Sequence, residues 1–175
     1  EILNDFVGDD SEPDMSAWEE FSKKRAQKNA RTVKVGLVAK YVGNEDTYIC
    51  VTEALKAAAA WNDVNLDLRW INAEKVDDKM LSEVDGLVVP GGFGNRGVEG
   101  KIAAANYALD HDVPYLGLCL GMQVACIASA RRAGLTQANS EEFDKETKEN
   151  VIYLMDGQEG KESTGGSMRL GDFPA

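Results

Sequence analysis

Cys119 is the residue in this chain whose surroundings most directly suggest covalent chemistry. It sits in Val113-Pro-Tyr-Leu-Gly-Leu-Cys-Leu-Gly-Met-Gln-Val-Ala125. The apolar run Tyr115 to Leu118 predicts a buried parallel strand, and Met122 onward predicts a helix, which leaves Cys119 on the turn between them. Gly117 and Gly121 flank it at two residues on each side, so strand and helix can approach without a β-carbon clash while the cysteine takes a strained backbone conformation. Such an elbow lifts the thiol out of the sheet. The start of the helix favours a thiolate, and the N–H of Leu120 points toward the place where a tetrahedral oxyanion would form. The competing reading is a structural cysteine buried at the end of a strand. Cys50 and Cys126 lack the flanking glycines, fall inside apparent helices and are expected in the core.

A second feature lies upstream. Pro90-Gly-Gly-Phe-Gly-Asn-Arg-Gly-Val-Glu-Gly100 places five glycines in eleven residues after the short apolar strand Gly86 to Val89. At the carboxyl edge of an open α/β sheet, successive glycine N–H groups can converge on an anion. Gly91 and Gly92 could then supply a second oxyanion donor facing that of Leu120. Alone the run also fits a loop without function; beside a cysteine elbow on the next strand it reads as half of a site. His111-Asp112 invites reading as a catalytic dyad, but the strand Tyr115 to Leu118 separates it from Cys119. At about 3.3 Å per residue the two groups lie near opposite ends of that strand, so His111 is expected on a surface loop.

The elements that must position these residues follow a strand–helix alternation from Thr32. Val33 to Ala39 predicts a first strand and Asp46 to Trp61 a helix, in which Ala57 to Ala60 permits close packing. Val64 to Ile71 predicts a second strand with one wetter face, placed near a sheet edge. Ala73 to Glu83 reads as a polar helix, Lys101 to Leu109 as an outer helix, and the helix after Cys119 as ending near Ala133. Residues 139–144 look irregular, Val151 to Met155 extended, and Gly165 to Gly171 a bent edge strand. Before all this, residues 1–32 look like a connector. The first twenty residues hold eight acidic and no basic side chains, and Lys23, Lys24, Arg25, Lys28 and Arg31 follow. Ser16-Ala-Trp-Glu19 has the form of a capping box for a helix to about Asn29, with Trp18, Phe21 and Arg25 on one face.

Composition narrows the classes. The chain has 175 residues, enough for one substantial core and an appendage. A net charge of −11 argues against a nucleic-acid surface. No run of 18 apolar residues is present to span a membrane. Three cysteines, none in a Cys-x-x-Cys pair, fit a reducing, cytoplasmic setting.

Gly117-Leu-Cys-Leu-Gly-Met-Gln123 following Pro90-Gly-Gly-Phe-Gly94 resembles the class I glutamine amidotransferases. The longer stretches Pro90 to Lys101, Ala138-Asn-Ser-Glu-Glu-Phe-Asp144 and Gly166-Ser-Met-Arg-Leu-Gly171 resemble, within them, the glutaminase half of the CTP synthases. The resemblance covers roughly Val33 to Pro174. It implies an open, mostly parallel α/β sheet with helices on both faces, of flavodoxin-like order. It also implies an interdomain linker over residues 1–32 and an amidotransferase domain, incomplete at its C-terminus, over residues 33–175.

By that resemblance Cys119 attacks the side-chain amide of L-glutamine and ammonia leaves; water then hydrolyses the γ-glutamyl thioester. Gly92 and Leu120 would contribute the oxyanion donors and Gly91 would shape the loop, while Gln123 and Glu142 would hold the substrate, the carboxylate suiting an α-ammonium. Phe93 and Arg96 match a lid that responds to GTP, an allosteric activator, and Arg169 matches an arginine of the same response. No cofactor is implied for this domain. ATP and Mg²⁺ belong to a synthetase domain of the same polypeptide, which aminates UTP and whose phosphate-binding sequence is not in this chain, and the full-length family members are expected to be tetrameric.

The family's general base is a histidine followed two residues later by a glutamate, beyond the Met-Arg-Leu-Gly motif. This chain has one histidine, His111, so the 175-residue piece is expected to be inactive or nearly so. From spacing alone, another cysteine hydrolase with a nucleophile elbow, a small stress-protein fold with a reactive cysteine, or a non-catalytic assembly module remains open.

Overall fold

The computed structural model describes residues 13–28 and 31–154. Its centre is a four-stranded parallel sheet built from β1 (Thr32–Ala39), β2 (Asn65–Asn72), β3 (Gly86–Val89) and β4 (Tyr115–Gly117), in the order β2-β1-β3-β4. Strand β2 pairs with β1 from Thr32↔Asn65 to Ala39↔Asn72, which puts the strand with the expected wetter face at the edge. The order reverses direction between β1 and β3. Leu37 lies opposite Val88 there, so the chain leaving β1 at Lys40 runs beside the chain leaving β3 at Pro90. In open α/β sheets this is the crevice where ligands sit.

Among the described residues there are five helices, α1 (Ser16–Ala26), α2 (Ile49–Trp61), α3 (Asp78–Ser82), α4 (Val98–His111) and α5 (Leu120–Arg132), of which α1 packs on α2 through Phe21 and Trp61. The period of two along the strands sorts them onto both faces. Val38, Ile71, Leu87 and Val89 point to one side, where they meet Ile102, Ala105 and Ala108 of α4 and Val124 and Ile127 of α5. Leu37, Ala39 and Val88 point to the other, where Val51 and Leu55 of α2 cover them together with Tyr48. A second, two-stranded parallel sheet, β5 (Asn139–Ser140) with β6 (Asn150–Ile152), follows α5. No helix among the described residues is long and apolar enough to cross a membrane.

Several expectations shift for local reasons. The helix expected over Ala73 to Glu83 shortens to α3. The Asn72 side chain accepts from Glu74 N at 2.8 Å, making a turn, and Asp77 caps by accepting from Met80 N at 2.8 Å. The helix expected from Asp46 splits into a 3₁₀ turn, Glu45–Tyr48, followed by α2. Helices α4 and α5 begin earlier than expected, at Val98 and Leu120. At the connector, Asp14 accepts from Ser16 N at 3.0 Å and Met15 stands at the N-cap, so the Ser16 capping box does not form. Residues 139–144, expected to be irregular, open with β5. The extended stretch expected over Val151 to Met155 appears as β6, which ends at Ile152, and Met155 and the edge strand expected over residues 165–171 lie outside the described residues.

Cys50 and Cys126 are helical as expected but exposed rather than in the core. The buried positions of α5 are Leu120, Gly121, Val124, Ile127 and Ala128, and Cys126 falls out of phase with them, its Sγ lying 3.8 Å from Met122 Sδ. On α2 the buried positions are Thr52 and Ala60, which leaves Cys50 on the outer side; within the alanine run Ala60 is buried, Ala57 and Ala59 are half-buried and Ala58 is exposed.

Candidate functional site

Cys119 occupies the turn between β4 and α5 with φ 54° and ψ −110°, a combination that a residue with a β-carbon adopts only under constraint. The constraint is the close crossing of strand and helix. A β-carbon on Gly117 would come within 2.5 Å of the Gly121 carbonyl carbon, and one on Gly121 within 1.8 Å of the Val89 carbonyl oxygen. Tyr115 adds a tie from below, its hydroxyl donating to the Gly121 carbonyl at 2.8 Å; burial pushes that phenol well above its usual pKa. The thiol itself is exposed, which excludes the reading as a buried structural cysteine.

The helix start leaves backbone donors at the elbow. Gly121 N donates to Leu118 O at 2.9 Å, and Met122 N and Gln123 N donate to Cys119 O at 3.0 and 3.2 Å. The N–H of Leu120, at the first helical position, lies outside that set, as first-turn donors do. Gln123 stands one turn along the helix from Cys119, on the same face.

The glycine loop begins beside the cysteine. A β-carbon built on Gly91 would lie 3.4 Å from Cys119 Cβ and 3.8 Å from its Sγ. Gly92 has φ +154°, which only glycine adopts without strain. Phe93 projects outward, 62% exposed. Arg96 pairs with Glu74 at 2.9 Å and lies 5.4 Å from the centre of the Tyr41 ring. Glu142 is brought to the same edge by the turn after β5, where its N–H donates to Ser140 Oγ at 3.2 Å; its carboxylate acts through space on Lys40. Arg169 lies outside the described residues. His111 is the last residue of α4 rather than part of a loop, stacked on Tyr107 with 4.0 Å between ring centres. It precedes β4 and so stands at the opposite edge of the sheet from Cys119.

Two lysines were not anticipated. Lys101 is fully buried and Lys40 is 3% exposed. Lys101 Nζ donates to Pro90 O at 2.5 Å and Gly91 O at 3.3 Å; Lys40 Nζ donates to Phe93 O at 2.8 Å and to Gly94 O. Burial lowers the pKa of both. Lys101 falls to about 8, with the neighbouring Lys40 charge lowering it further and Cys119 opposing the shift. Lys40 is held down by burial first, against the Glu142 carboxylate. A signal for Lys101 was present: it shares a helical face with Ala104, Ala105 and Ala108, at i+3, i+4 and i+7, all of them buried.

An exposed thiol at a strained strand end, beside a loop of glycine amides and a helix start, can attack a carbonyl carbon and have the resulting oxyanion held. Comparison with known proteins agrees in kind. The sequence profile of the family described as "Glutamine amidotransferase class-I" matches residues 45–175. The CTP synthase of Lactiplantibacillus plantarum is 47% identical over 99% of this chain and 33% of its own length. That of Caldanaerobacter subterraneus subsp. tengcongensis is 51% identical over 92% of this chain and 31% of its own. This chain thus spans about one third of the curated relatives it matches. Among solved structures, the Trypanosoma brucei CTPS glutaminase domain with bound acivicin superposes with a TM-score of 0.70 at 40% identity, covering 79% of this chain and 55% of that one.

Proposed function

Because this chain belongs to the class I glutamine amidotransferase family, and its relatives are CTP synthases, we propose that Cys119 is the nucleophile of glutamine hydrolysis. The sulfur, as thiolate, attacks the side-chain amide carbon of L-glutamine, and the carbonyl electron pair moves onto oxygen. The N–H groups of Leu120 and Gly92 receive that oxyanion, with Gly91 shaping the turn. Collapse breaks the C–N bond, the nitrogen takes a proton and leaves as ammonia, and water then attacks the γ-glutamyl thioester to release glutamate and the thiol. Gln123 and Glu142 hold the substrate, the Glu142 carboxylate facing its α-ammonium.

In the full-length protein the ammonia would aminate UTP to CTP in a synthetase domain that holds ATP and Mg²⁺, within a tetramer, with residues 1–32 as the linker. Phe93, Arg96 and Arg169 would form the lid that answers to GTP. Proton transfer at Cys119 requires a base, and His111 stands at the wrong edge of the sheet, so the 175-residue chain by itself should turn over glutamine slowly or not at all.

The observation that carries this reading is that the Gly91 turn faces the Cys119 side chain so closely that a single added β-carbon on Gly91 would reach it, at 3.4 Å from Cβ and 3.8 Å from Sγ. Cys119→Ala in the full-length protein should abolish glutamine-dependent CTP formation and leave ammonia-dependent formation intact. Equal loss of both, or loss of neither, overturns it.

A further inference from the structure

Lys101 is an expensive residue where it stands. Its ammonium is withdrawn from water, it has no carboxylate partner among the described residues, and it sits in the first turns of α4, where the helix dipole opposes a positive charge. A methionine would fill the same space without those costs. What the ammonium does is grip two consecutive carbonyls of the glycine loop, Pro90 O and Gly91 O, while Lys40 grips Phe93 O and Gly94 O on the far side. The peptide between them, Gly91–Gly92, is the one that carries the N–H proposed above as an oxyanion donor.

A trans peptide is planar, with its C=O and N–H pointing in opposite directions. Holding Gly91 O against Lys101 therefore turns the Gly92 N–H to the side away from Lys101. A cation on the carbonyl also polarises the peptide, which makes its N–H a stronger donor. We propose that Lys101 is a positioning residue for glutamine hydrolysis: its buried ammonium orients and polarises the Gly91–Gly92 peptide so that the Gly92 N–H receives the oxyanion, with Lys40 bracing the far end of the loop. This inference rests on the reading of Cys119 as a glutaminase nucleophile.

The test uses the full-length protein and two reactions of one sulfur. Acyl transfer from glutamine passes through an oxyanion; alkylation of Cys119 by iodoacetamide, followed by mass spectrometry of the peptide carrying it, does not. Lys101→Met should lower kcat for glutamine hydrolysis about 10²-fold, the usual effect of losing one oxyanion donor. KM should stay within about threefold, and the Cys119 alkylation rate should fall far less than kcat, because alkylation loses only the through-space pull of the Lys101 charge and needs no oxyanion donor. Unchanged kcat overturns the proposal, as does a parallel fall in kcat and alkylation, which would mean that Lys101 supports the elbow or the thiolate. Should Lys101→Met fail to fold, Lys40→Met is read by the same criteria, with a smaller fall in kcat of about tenfold expected from the bracing side of the loop. If the wild-type protein alkylates at Cys119 but does not hydrolyse glutamine, the glutaminase reading fails instead, and the two failures are distinct.

Discussion

Lys101 and Lys24 are the same side chain in two regions of the molecule that are held together by different physics. At the carboxyl edge of the sheet, Lys101 and Lys40 are buried and, among the described residues, their ammonium groups bond to carbonyl oxygens of a loop they keep in place. On the other side of α2, Lys24 and Arg25 of α1 reach Asp63 and Glu53 through exposed pairs of 3.1 Å, and the contact between helices is mainly Phe21 stacked on Trp61 at 5.6 Å. The first arrangement costs stability and fixes geometry. The second adds a little stability and fixes little. If that contrast is right, changes near the elbow should be large and specific, and changes at α1 small and additive.

The largest effect is expected at Gly121. Its missing β-carbon would sit 1.8 Å from the backbone oxygen of Val89, which itself accepts from Leu118 N at 2.9 Å. Neither backbone can yield without parting β3 from the elbow. Gly121→Ala should cost about 3 kcal/mol or more in urea unfolding and abolish Cys119 acyl transfer. Gly94→Ala is the matched control. Open space surrounds that position, leaving only the strain of φ +71°, so a loss of about 1 kcal/mol is expected. Equal losses at the two sites would mean that the crossing is looser than its geometry shows.

The buried cation yields a prediction with a definite sign. Burial depresses Lys101 from its ordinary 10.5 to about 8. Between those values the unfolded chain keeps a proton that the folded chain releases, so raising the pH favours the folded state. Wild type should gain stability from about pH 8 to about 10.5 relative to Lys101→Met, by on the order of 2 kcal/mol. The charges of Lys40 and Cys119 also act on this group, so the difference between the two proteins is the quantity to read. Parallel stability profiles would show that Lys101 is better solvated than its surroundings imply.

How far all this was legible in the chain itself follows from what each signal depends on. The apolar runs of β1 and β3 and the glycine spacing around Cys119 are local, and their positions were read to within a residue or two. The extent of α3 was not, because Asn72 and Asp77 turned their side chains onto the backbone and broke a helix that polarity alone permitted. Cys50 and Cys126 were misplaced because an apolar residue in a helix reads as core until the helix phase is known. Lys101 was missed for the converse reason. A lysine reads as solvated, although its buried neighbours one and two turns on already placed it inside. Lys40 carries no comparable mark; its role appears only when β1 and β3 are paired and bring it beside the loop.

The smallest effects should come from α1. Phe21→Ala removes one stacked pair and should cost about 1 kcal/mol. Lys24→Ala and Arg25→Ala should each cost under about 0.5 kcal/mol, and that cost should fall further in high salt, since both pairs are open to water. Trp18 is 67% exposed and touches Phe21 only edge-on at 6.4 Å, so Trp18→Ala should change little. These values are best measured as urea midpoints at low and high salt, singly and as the pair Phe21→Ala with Lys24→Ala. Additivity within about 0.5 kcal/mol would mark α1 as a helix resting on the domain by independent contacts. A cooperative loss well above that sum would show the connector to be part of the same folding unit as the elbow, and would erase the contrast between the two regions.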